Sequence, residues 1–317
     1  MRKLLVGDIG GTNARLALFD NGTLSAIRVY RVAEHAGVSS LIRLYLGQEA
    51  IEVGALGGAA LGVAGPVQEG RCTITNTGWV ADCQDIKVNC KFPEVVLLND
   101  FEALAYALPF LTSSDLVRIL PGTLKDRAPM LVVGPGTGFG AACLLPADNR
   151  KWMAIPSEAG HSTVPACNED EDLILARLRS RFSHVSIEHV CSGQGLENLF
   201  SVLQSIHGMP AQTRSTAEII ESALSKTCDV SSLALETFFR ILGTAVGNLA
   251  LTYRAQGGVF LGGGIVPRVG NELAQSQFAE RFLNKGRFRP FLEAIPVAII
   301  TARYATLSGL GHYSFAR

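Results

Sequence analysis

The first segment that could do chemistry is a glycine-rich turn near the start of the chain, Gly10-Gly11-Thr12-Asn13. Glycine turns let backbone N–H groups approach phosphate oxygens, because no side chain stands in the way. Asp8 comes just before the turn, where its carboxylate could bind Mg²⁺ through a water molecule. The segment therefore predicts a phosphate and metal site, and a purely structural hairpin is the open alternative.

Two further glycine-rich segments, GPGTGFG and GGVFLGGGIVPR, also stand at predicted strand ends, and a helix is predicted at Arg268, after the last of them. The order of the three segments predicts a nucleotide site in which the first two bind phosphates and the third borders the adenosine. The predicted nucleotide-binding residues are Gly7, Asp8, Ile9, Gly10, Gly11, Thr12, Asn13, Gly136, Thr137, Gly138, Gly262, Gly263 and Gly264.

Two common nucleotide motifs are excluded by the residues around these glycines. A Walker A loop requires a Gly-Lys pair, and the chain contains none. A dinucleotide fingerprint requires a helix directly after its glycines, whereas residues 139–145 are predicted to form a strand.

Asp100 is the candidate general base. It follows a predicted strand from Val95 to Leu98 and precedes a predicted helix from Phe101 to Leu108. Open α/β sheets bind ligands at such carboxyl strand ends, and phosphoryl transfer needs a group that accepts the proton of the attacking hydroxyl. From the spacing alone, a helix-capping role for Asp100 is favoured instead.

Four polar residues are candidate ligands of a sugar beside Asp100. Asn99 offers both a donor and an acceptor, as a sugar hydroxyl needs. Glu158 and Glu188 offer acceptors, and His161 could bond a further hydroxyl. Taken singly, the two glutamates and His161 are more typical of a solvated surface.

The elements that must position these residues form two similar groups. The opening predicts three consecutive strands, with Asn21-Gly22 as a hairpin turn. A strand, glycine turn and strand then recur from Val133, about 127 residues after Val6, which suggests an internal duplication. The predicted domains are residues 1–109 and 110–302, and a terminal helix at 303–317 could pack on the first domain.

Composition favours a compact protein that acts on small molecules. The 317 residues are 48% hydrophobic and 18% charged, and 28 basic residues balance 28 acidic ones. Zero net charge gives no general attraction to nucleic acid or anionic lipid. No signal-peptide core or apolar run of about 18 residues is evident, and the seven cysteines form no CxxC pair. We therefore expect a cytoplasmic protein with reduced thiols, no nucleic-acid partner and no membrane span.

The motifs together resemble the bacterial glucokinase family, in the hexokinase and actin-like ATPase superfamily. The resemblance covers nearly the whole chain in order. It rests on the segments GDIGGTNARLALFD, TNTGW, LLNDFEALAYALP, GPGTGFG, EAGH, CSGQGL and GGVFLGGGIVPR.

This resemblance implies a two-lobed α/β fold of the actin-like ATPase (ribonuclease H-like) type, with ATP and glucose meeting in a central cleft. It also implies phosphorylation of glucose at its 6-hydroxyl and commonly a homodimer. It favours Asp100 as the base over Asp100 as a cap. It further favours Asn99, Asp100, Glu158, His161 and Glu188 as sugar ligands, with ATP and Mg²⁺ as the cosubstrate and its metal.

The chain departs from the family pattern at Cys191 and Gln194, where Leu and Pro are common. A kinase for another hexose therefore stays an alternative. So does a sugar-sensing regulator of the same superfamily, although the first strand begins too early for an N-terminal DNA-binding segment. Related sugar kinases have a cysteine-rich zinc site directly after the Glu-x-Gly-His motif. In this chain Cys167 is the only cysteine in that segment, so we do not expect a structural zinc. A filament or chaperone ATPase would have no evident use for the EAGH segment.

Overall fold

The computed structural model describes residues 3–74, 77–148 and 151–315. Thr75 and Asn76 of the TNTGW motif lie outside the described residues. The chain divides into two compact units. Unit 1 contains the described residues up to Leu111, those of Pro146–Pro156 and those from Ala302 onward, and unit 2 contains Thr112–Leu145 and Ser157–Thr301.

The strands are β1 Lys3–Ile9, β2 Asn13–Asp20, β3 Thr23–Arg31, β4 Leu56–Val63, β5 Arg71–Thr73, β6 Val80–Asp82, β7 Val95–Asn99, β8 Leu116–Leu120, β9 Met130–Pro135, β10 Phe139–Pro146, β11 Trp152–Ser157, β12 Val259–Leu261 and β13 Val297–Ile300. The α-helices are α1 Val38–Gln48, α2 Cys83–Cys90, α3 Asp100–Ala105, α4 Glu169–Arg179, α5 Gly193–Ile206, α6 Thr216–Leu224, α7 Asp229–Thr252, α8 Gly270–Gln275, α9 Phe278–Leu283, α10 Arg289–Glu293 and α11 Ala305–Phe315.

The sheet of unit 1 has the strand order β3-β2-β1-β4-β7. Strands β1, β2 and β3 are antiparallel neighbours, as predicted, and β4 and β7 continue the sheet in parallel with β1. Asn21 and Gly22 both have positive φ angles, 47° and 85°. That geometry suits the tight hairpin turn predicted for this pair.

Helices cover both faces of this sheet. Leu5 and Leu61 belong to a buried cluster with Leu41 and Tyr45 of α1. On the opposite face, Gly62 lies against α3 and α11, since a side chain there would contact Ala103, Thr306 and Leu310. The carboxyl ends of β1, β4 and β7 are therefore held in a fully packed layer.

The sheet of unit 2 repeats this topology. Strands β10, β9, β12 and β13 follow one another, with the first pair antiparallel and the other neighbours parallel. Strands β2, β1, β4 and β7 have the same order and directions in unit 1. The shared topology agrees with the duplication inferred from the two strand–glycine turn–strand segments.

Three sequence predictions differ from the structure in detail. The helix predicted for 101–108 is α3 followed by a 3₁₀ turn at Leu108–Phe110, because Pro109 cannot continue an α-helix. The helix predicted at Arg268 begins only at Gly270, after a 3₁₀ turn at Val266–Arg268 that contains Pro267. Pro146–Pro156, predicted within the larger domain, clusters with unit 1, where the Ala154 N–H donates to the Tyr106 hydroxyl at 3.1 Å.

Helix α7 is the centre of the unit 2 core. It is long and apolar enough to cross a bilayer, but most of its apolar window is buried inside the protein, as in the core helix of a globular domain. Its stripe of apolar side chains is fully covered, which assigns it to the core. The stripe consists of Phe238, Phe239, Leu242 and Val246.

A buried ion pair joins three helices of unit 2. Arg281 of α9 donates to both carboxylate oxygens of Glu171 of α4, at 2.6 and 2.9 Å. The same guanidinium donates to the hydroxyl of Thr244 in α7. Glu171 is fully buried. Because every charged oxygen and nitrogen of the pair is hydrogen-bonded, the interior tolerates both charges.

Candidate active site

Asp100 is the first residue of α3, at the carboxyl end of β7. The helix N-cap is Asn99, whose Oδ1 accepts the N–H groups of Phe101 and Glu102 at 2.9 and 3.3 Å. Asn99 also donates from Nδ2 to the carbonyl of Gly65 at 3.3 Å. The capping role considered for Asp100 is therefore performed by its neighbour, and the Asp100 carboxylate accepts the Phe101 N–H at 2.9 Å.

The pKa of Asp100 is raised to about 7. Burial is the largest cause, because it penalises the charged form, and the negative charge of nearby Asp8 adds to it. Hydrogen bonds from Phe101 and Asn99 partly oppose the rise. A carboxyl group with this pKa changes its protonation state in the range where a general base is most effective.

Asp8 reaches the same edge of the sheet from β1. In the strand register Asp8 lies beside Gly62, and Gly62 lies beside Leu98, two residues before Asp100. Burial raises the pKa of Asp8, while Arg15, which donates to Asp8 Oδ2 at 2.7 Å, opposes the rise.

The first glycine turn joins β1 to β2 beside these carboxylates. The Gly10 N–H donates to the carbonyl of Asn13 at 3.0 Å, and the Val32 N–H donates to the carbonyl of Thr12 at 3.0 Å. Gly7 and Ile9, which also belong to the predicted nucleotide-binding residues, are packed in the core of unit 1. A side chain at Gly7 would overlap Leu16 and Leu61, and Ile9 is fully buried.

In unit 2 the second and third glycine segments lie side by side. The loop Gly136-Thr137-Gly138 is closed by a hydrogen bond from the Gly136 N–H to the Gly138 carbonyl at 2.8 Å. Gly263 has a φ angle of 80°, and a side chain there would overlap the carbonyl of Pro135. A Cβ at Gly136 would lie 3.6 Å from the Gly264 nitrogen. The backbones of the two loops are thus adjacent, and Gly263 has no room for a side chain.

The predicted sugar ligands of unit 2 lie next to the second loop. Glu188 accepts the Phe139 N–H at 2.8 Å through Oε2, and its own N–H donates to the Gly160 carbonyl at 2.9 Å. His161 and Glu158 are exposed, with His161 Nε2 3.9 Å from Glu158 Oε2. The structure therefore gathers Glu158, His161 and Glu188 in one part of unit 2.

Sequence reasoning missed the residues that anchor the second loop. The Gly193 N–H, at the start of α5, donates to the Gly136 carbonyl at 2.9 Å. Thr216 donates from its hydroxyl to the Gly193 carbonyl at 2.9 Å and also to Glu197. The CSGQGL segment carried the available signal, since Ser192 followed by a glycine is a typical helix start. Ser192 indeed caps α5 by accepting the Gly195 N–H.

The two residues that depart from the family pattern, Cys191 and Gln194, are not among the predicted sugar ligands. Cys191 is fully buried in the hydrophobic core of unit 2. Gln194 lies in the first turn of α5, where its side chain donates to Glu197 at 3.3 Å. Neither side chain is hydrogen-bonded to Glu158, His161 or Glu188.

The donor set at the edge of the unit 1 sheet fits a hard divalent cation. Asp8 and Asp100 place two carboxylates close enough for their charges to repel each other, and Mg²⁺ prefers oxygen ligands of this kind. Within the described ranges, no group of three or more His, Cys, Asp or Glu side chains could hold a metal. Bound Mg²⁺ would therefore keep several waters and contact nucleotide phosphates.

Comparison with known proteins decides the family. The family model for glucokinase matches residues 5–316. The chain belongs to the glucokinase family. It is 37% identical over 311 residues to the glucokinase of Photorhabdus laumondii, covering 98% of this chain and 96% of that protein. It is also 38% identical to a bifunctional protein glk of Paraburkholderia xenovorans, covering 96% of this chain and 48% of that protein, so it spans about half the length of that relative.

A solved structure gives the same result for the fold. The glucokinase from an Antarctic psychrotroph superimposes with a TM-score of 0.90 at 35% identity, with 100% of both chains covered. The family resemblance and the α/β fold of the actin-like ATPase type are thereby confirmed. The individual site residues are not tested by these comparisons and stay predictions.

Proposed function

We propose that this chain is an ATP-dependent glucokinase that transfers the γ-phosphoryl group of ATP to the 6-hydroxyl of glucose. The observation that supports it best is Asp100 at a carboxyl strand end, with a pKa raised to about 7, in a member of the glucokinase family. Phosphoryl transfer asks the protein for alignment, charge neutralisation and a proton acceptor.

The roles of the nucleotide residues follow from their position in the fold. The loops Gly10–Asn13 and Gly136-Thr137-Gly138 bind phosphate oxygens through backbone N–H groups other than those of Gly10 and Gly136, which close the turns. Gly262–Gly264 border the adenosine. Gly7 and Ile9 contribute through tight packing, which fixes the strand from which Asp8 projects. Asp8 would hold Mg²⁺ through water, and the ion when bound would neutralise phosphate charge.

The sugar is bound by Asn99, Asp100, Glu158, His161 and Glu188. Asn99 offers the sugar its side-chain amide, whose Nδ2 also donates to the Gly65 carbonyl. Asp100 accepts the proton of the 6-hydroxyl as the oxygen attacks phosphorus. Above pH 7 the carboxylate is mostly ionised and competent for this step, so the rate falls as the pH decreases below about 7.

A coupled assay with the purified chain, Mg²⁺, ATP and a panel of hexoses tests the proposal. Glucose should give a kcat/KM at least tenfold above those of fructose, mannose and N-acetylglucosamine. Faster turnover of another sugar would reassign the substrate. Glucose binding without any phosphoryl transfer would favour a sugar-sensing regulator.

Finer properties rest on the family resemblance. We propose a cytoplasmic homodimer that performs the first step of glycolysis, with ATP preferred over ADP or polyphosphate. Light scattering of the purified protein measures the oligomeric state, and donor competition in the same coupled assay measures the preference.

A further inference from the structure

Glu188 touches both functional segments of unit 2. Its Oε2 accepts the N–H of Phe139, the residue that directly follows the glycine loop Gly136-Thr137-Gly138. Its backbone N–H donates to the carbonyl of Gly160, which directly precedes His161. One residue therefore links the nucleotide loop to the sugar segment by two hydrogen bonds.

The packing brings the Glu188 carboxylate into close contact with the end of the glycine loop. A side chain at Gly138 would overlap Glu188 Oε2, and a side chain at Gly160 would overlap the Phe139 carbonyl. Both glycines are therefore required by the close approach of the carboxylate and of β10. A displacement of the Glu188 carboxylate acts on the loop end through its bond to the Phe139 N–H.

The loop transmits such a displacement because it is a closed turn. The Gly136 N–H bonds the Gly138 carbonyl at 2.8 Å, and the Gly136 carbonyl accepts the Gly193 N–H at 2.9 Å. The loop is thus fixed at one end by α5 and at the other by Glu188. A restraint on the Glu188 carboxylate therefore also restrains the loop at its Phe139 end.

We infer that Glu188 is a positioning residue that couples hexose binding to nucleotide affinity. This inference rests on the proposed function, in which Glu188 binds the sugar. The bond to Phe139 uses Oε2, so Oε1 can accept a sugar hydroxyl. A bound hydroxyl immobilises the carboxylate and hence the Phe139 N–H, so a nucleotide that binds afterwards loses less loop entropy. Because coupling is reciprocal, nucleotide also tightens sugar binding.

Calorimetry on the full chain tests the coupling. The Kd of a non-hydrolysable ATP analogue is measured with and without saturating glucose for the wild type, Glu188→Ala and Glu158→Ala. Glu158 is the matched control, because it is a predicted sugar ligand without a described bond to the loop. We expect glucose to tighten nucleotide binding about fivefold or more in the wild type and in Glu158→Ala, and less than twofold in Glu188→Ala.

Glu188→Gln separates the hydrogen bond from the charge. Its amide oxygen can still accept the Phe139 N–H, so it should recover most of the coupling that Glu188→Ala loses. Hydrogen exchange gives a second readout: glucose should slow exchange of the Phe139 amide in the wild type and in Glu158→Ala but not in Glu188→Ala. A purely structural role for Glu188 would change both Kd values equally and leave their ratio unchanged.

The outcomes separate this inference from the proposed function. Full coupling in a folded Glu188→Ala variant, or no coupling in the wild type, would overturn the inference while glucose phosphorylation stands. A wild type that neither binds nor phosphorylates glucose would overturn the proposed function itself.

Discussion

Asp100 combines its proposed catalytic role with an unfavourable environment for charge. Burial and the neighbouring Asp8 both raise its pKa, to about 7. The same interactions that suit the group to accept a proton also make its ionised form costly to the folded state. Activity and stability are therefore linked at this one residue.

Asp100→Asn should lower kcat by about 10² to 10⁴, because general-base catalysis is typically worth that factor. The amide keeps the shape of the carboxyl group, so the protein should stay folded and still bind glucose. Single-turnover assays together with glucose calorimetry measure the two effects. Near-normal turnover in the variant would remove Asp100 from the role of base.

The same substitution should make the protein more stable at alkaline pH. The folded pKa of Asp100 lies above its ordinary value of 3.8, so the folded state binds the proton more tightly than the unfolded chain. Wild-type stability therefore decreases as the pH rises from about 4 to 7, and the loss is complete above that range. We expect Asp100→Asn to exceed the wild type by about 1 to 3 kcal/mol at pH 8 and to match it near pH 4.

Urea unfolding at the two pH values measures this difference, and Asp115 provides the contrasting control. Bonds from Thr112 lower the pKa of the Asp115 carboxyl, so Asp115→Asn should lose stability at pH 8 rather than gain it. Equal stability of Asp100→Asn and wild type at pH 8 would contradict the proposed environment of Asp100.

At the scale of elements, alanine substitutions in the loop between β9 and β10 should have different effects on KM for ATP at Gly138 and at Gly136. Gly138→Ala should displace Glu188 Oε2 and break its bond to the Phe139 N–H. We expect KM for ATP to rise about tenfold, since a lost hydrogen bond to a charged group is worth about 1.5 to 3 kcal/mol.

Gly136→Ala is the matched control two residues away. Its Cβ would meet only the Gly264 nitrogen at 3.6 Å, an ordinary contact, and its φ angle is not in the left-handed region. KM for ATP should therefore stay within about threefold of the wild type. Equal effects of the two alanines would show that the loop responds to any side chain rather than to the Glu188 contact.

Local signals predicted many of the elements. The Asn-Gly turn and the three opening strands both appear in the structure, because each is encoded by residues close in sequence. The predicted helix start at Arg268 was wrong, because Pro267 fits the first turn of either an α- or a 3₁₀-helix. The bond between Glu188 and Phe139 spans 49 residues and has no local signal.

At the scale of the whole molecule, the Glu171–Arg281 pair shows what sequence reasoning could not reach. The partners are 110 residues apart, and nothing beside either residue indicates the other. Without Arg281, the buried carboxylate of Glu171 would have no compensating charge in the core. The pair therefore holds α4 and α9 in a single arrangement within unit 2.

Arg281→Met should reduce the free energy of unfolding by about 3 to 5 kcal/mol, because it leaves Glu171 buried and unpaired. Arg289→Met removes an exposed pair with Glu280 and should cost less than about 1 kcal/mol. Denaturant titration of both variants measures the difference. A loss below 1 kcal/mol in Arg281→Met would mean that water or a rearranged partner reaches Glu171.

The assignment of Ala302 onward to unit 1 has a consequence for biosynthesis. Gly62 lies against Thr306 and Leu310, and Gly311 packs on Phe19 so closely that any side chain there would overlap the ring. On the ribosome, the first strands emerge long before the helix that covers them. Unit 1 is begun first but completed last, after every residue of unit 2 has been translated. The part of its sheet that α11 covers, beside Gly62 and Phe19, therefore stays exposed in the nascent chain until that helix has been translated.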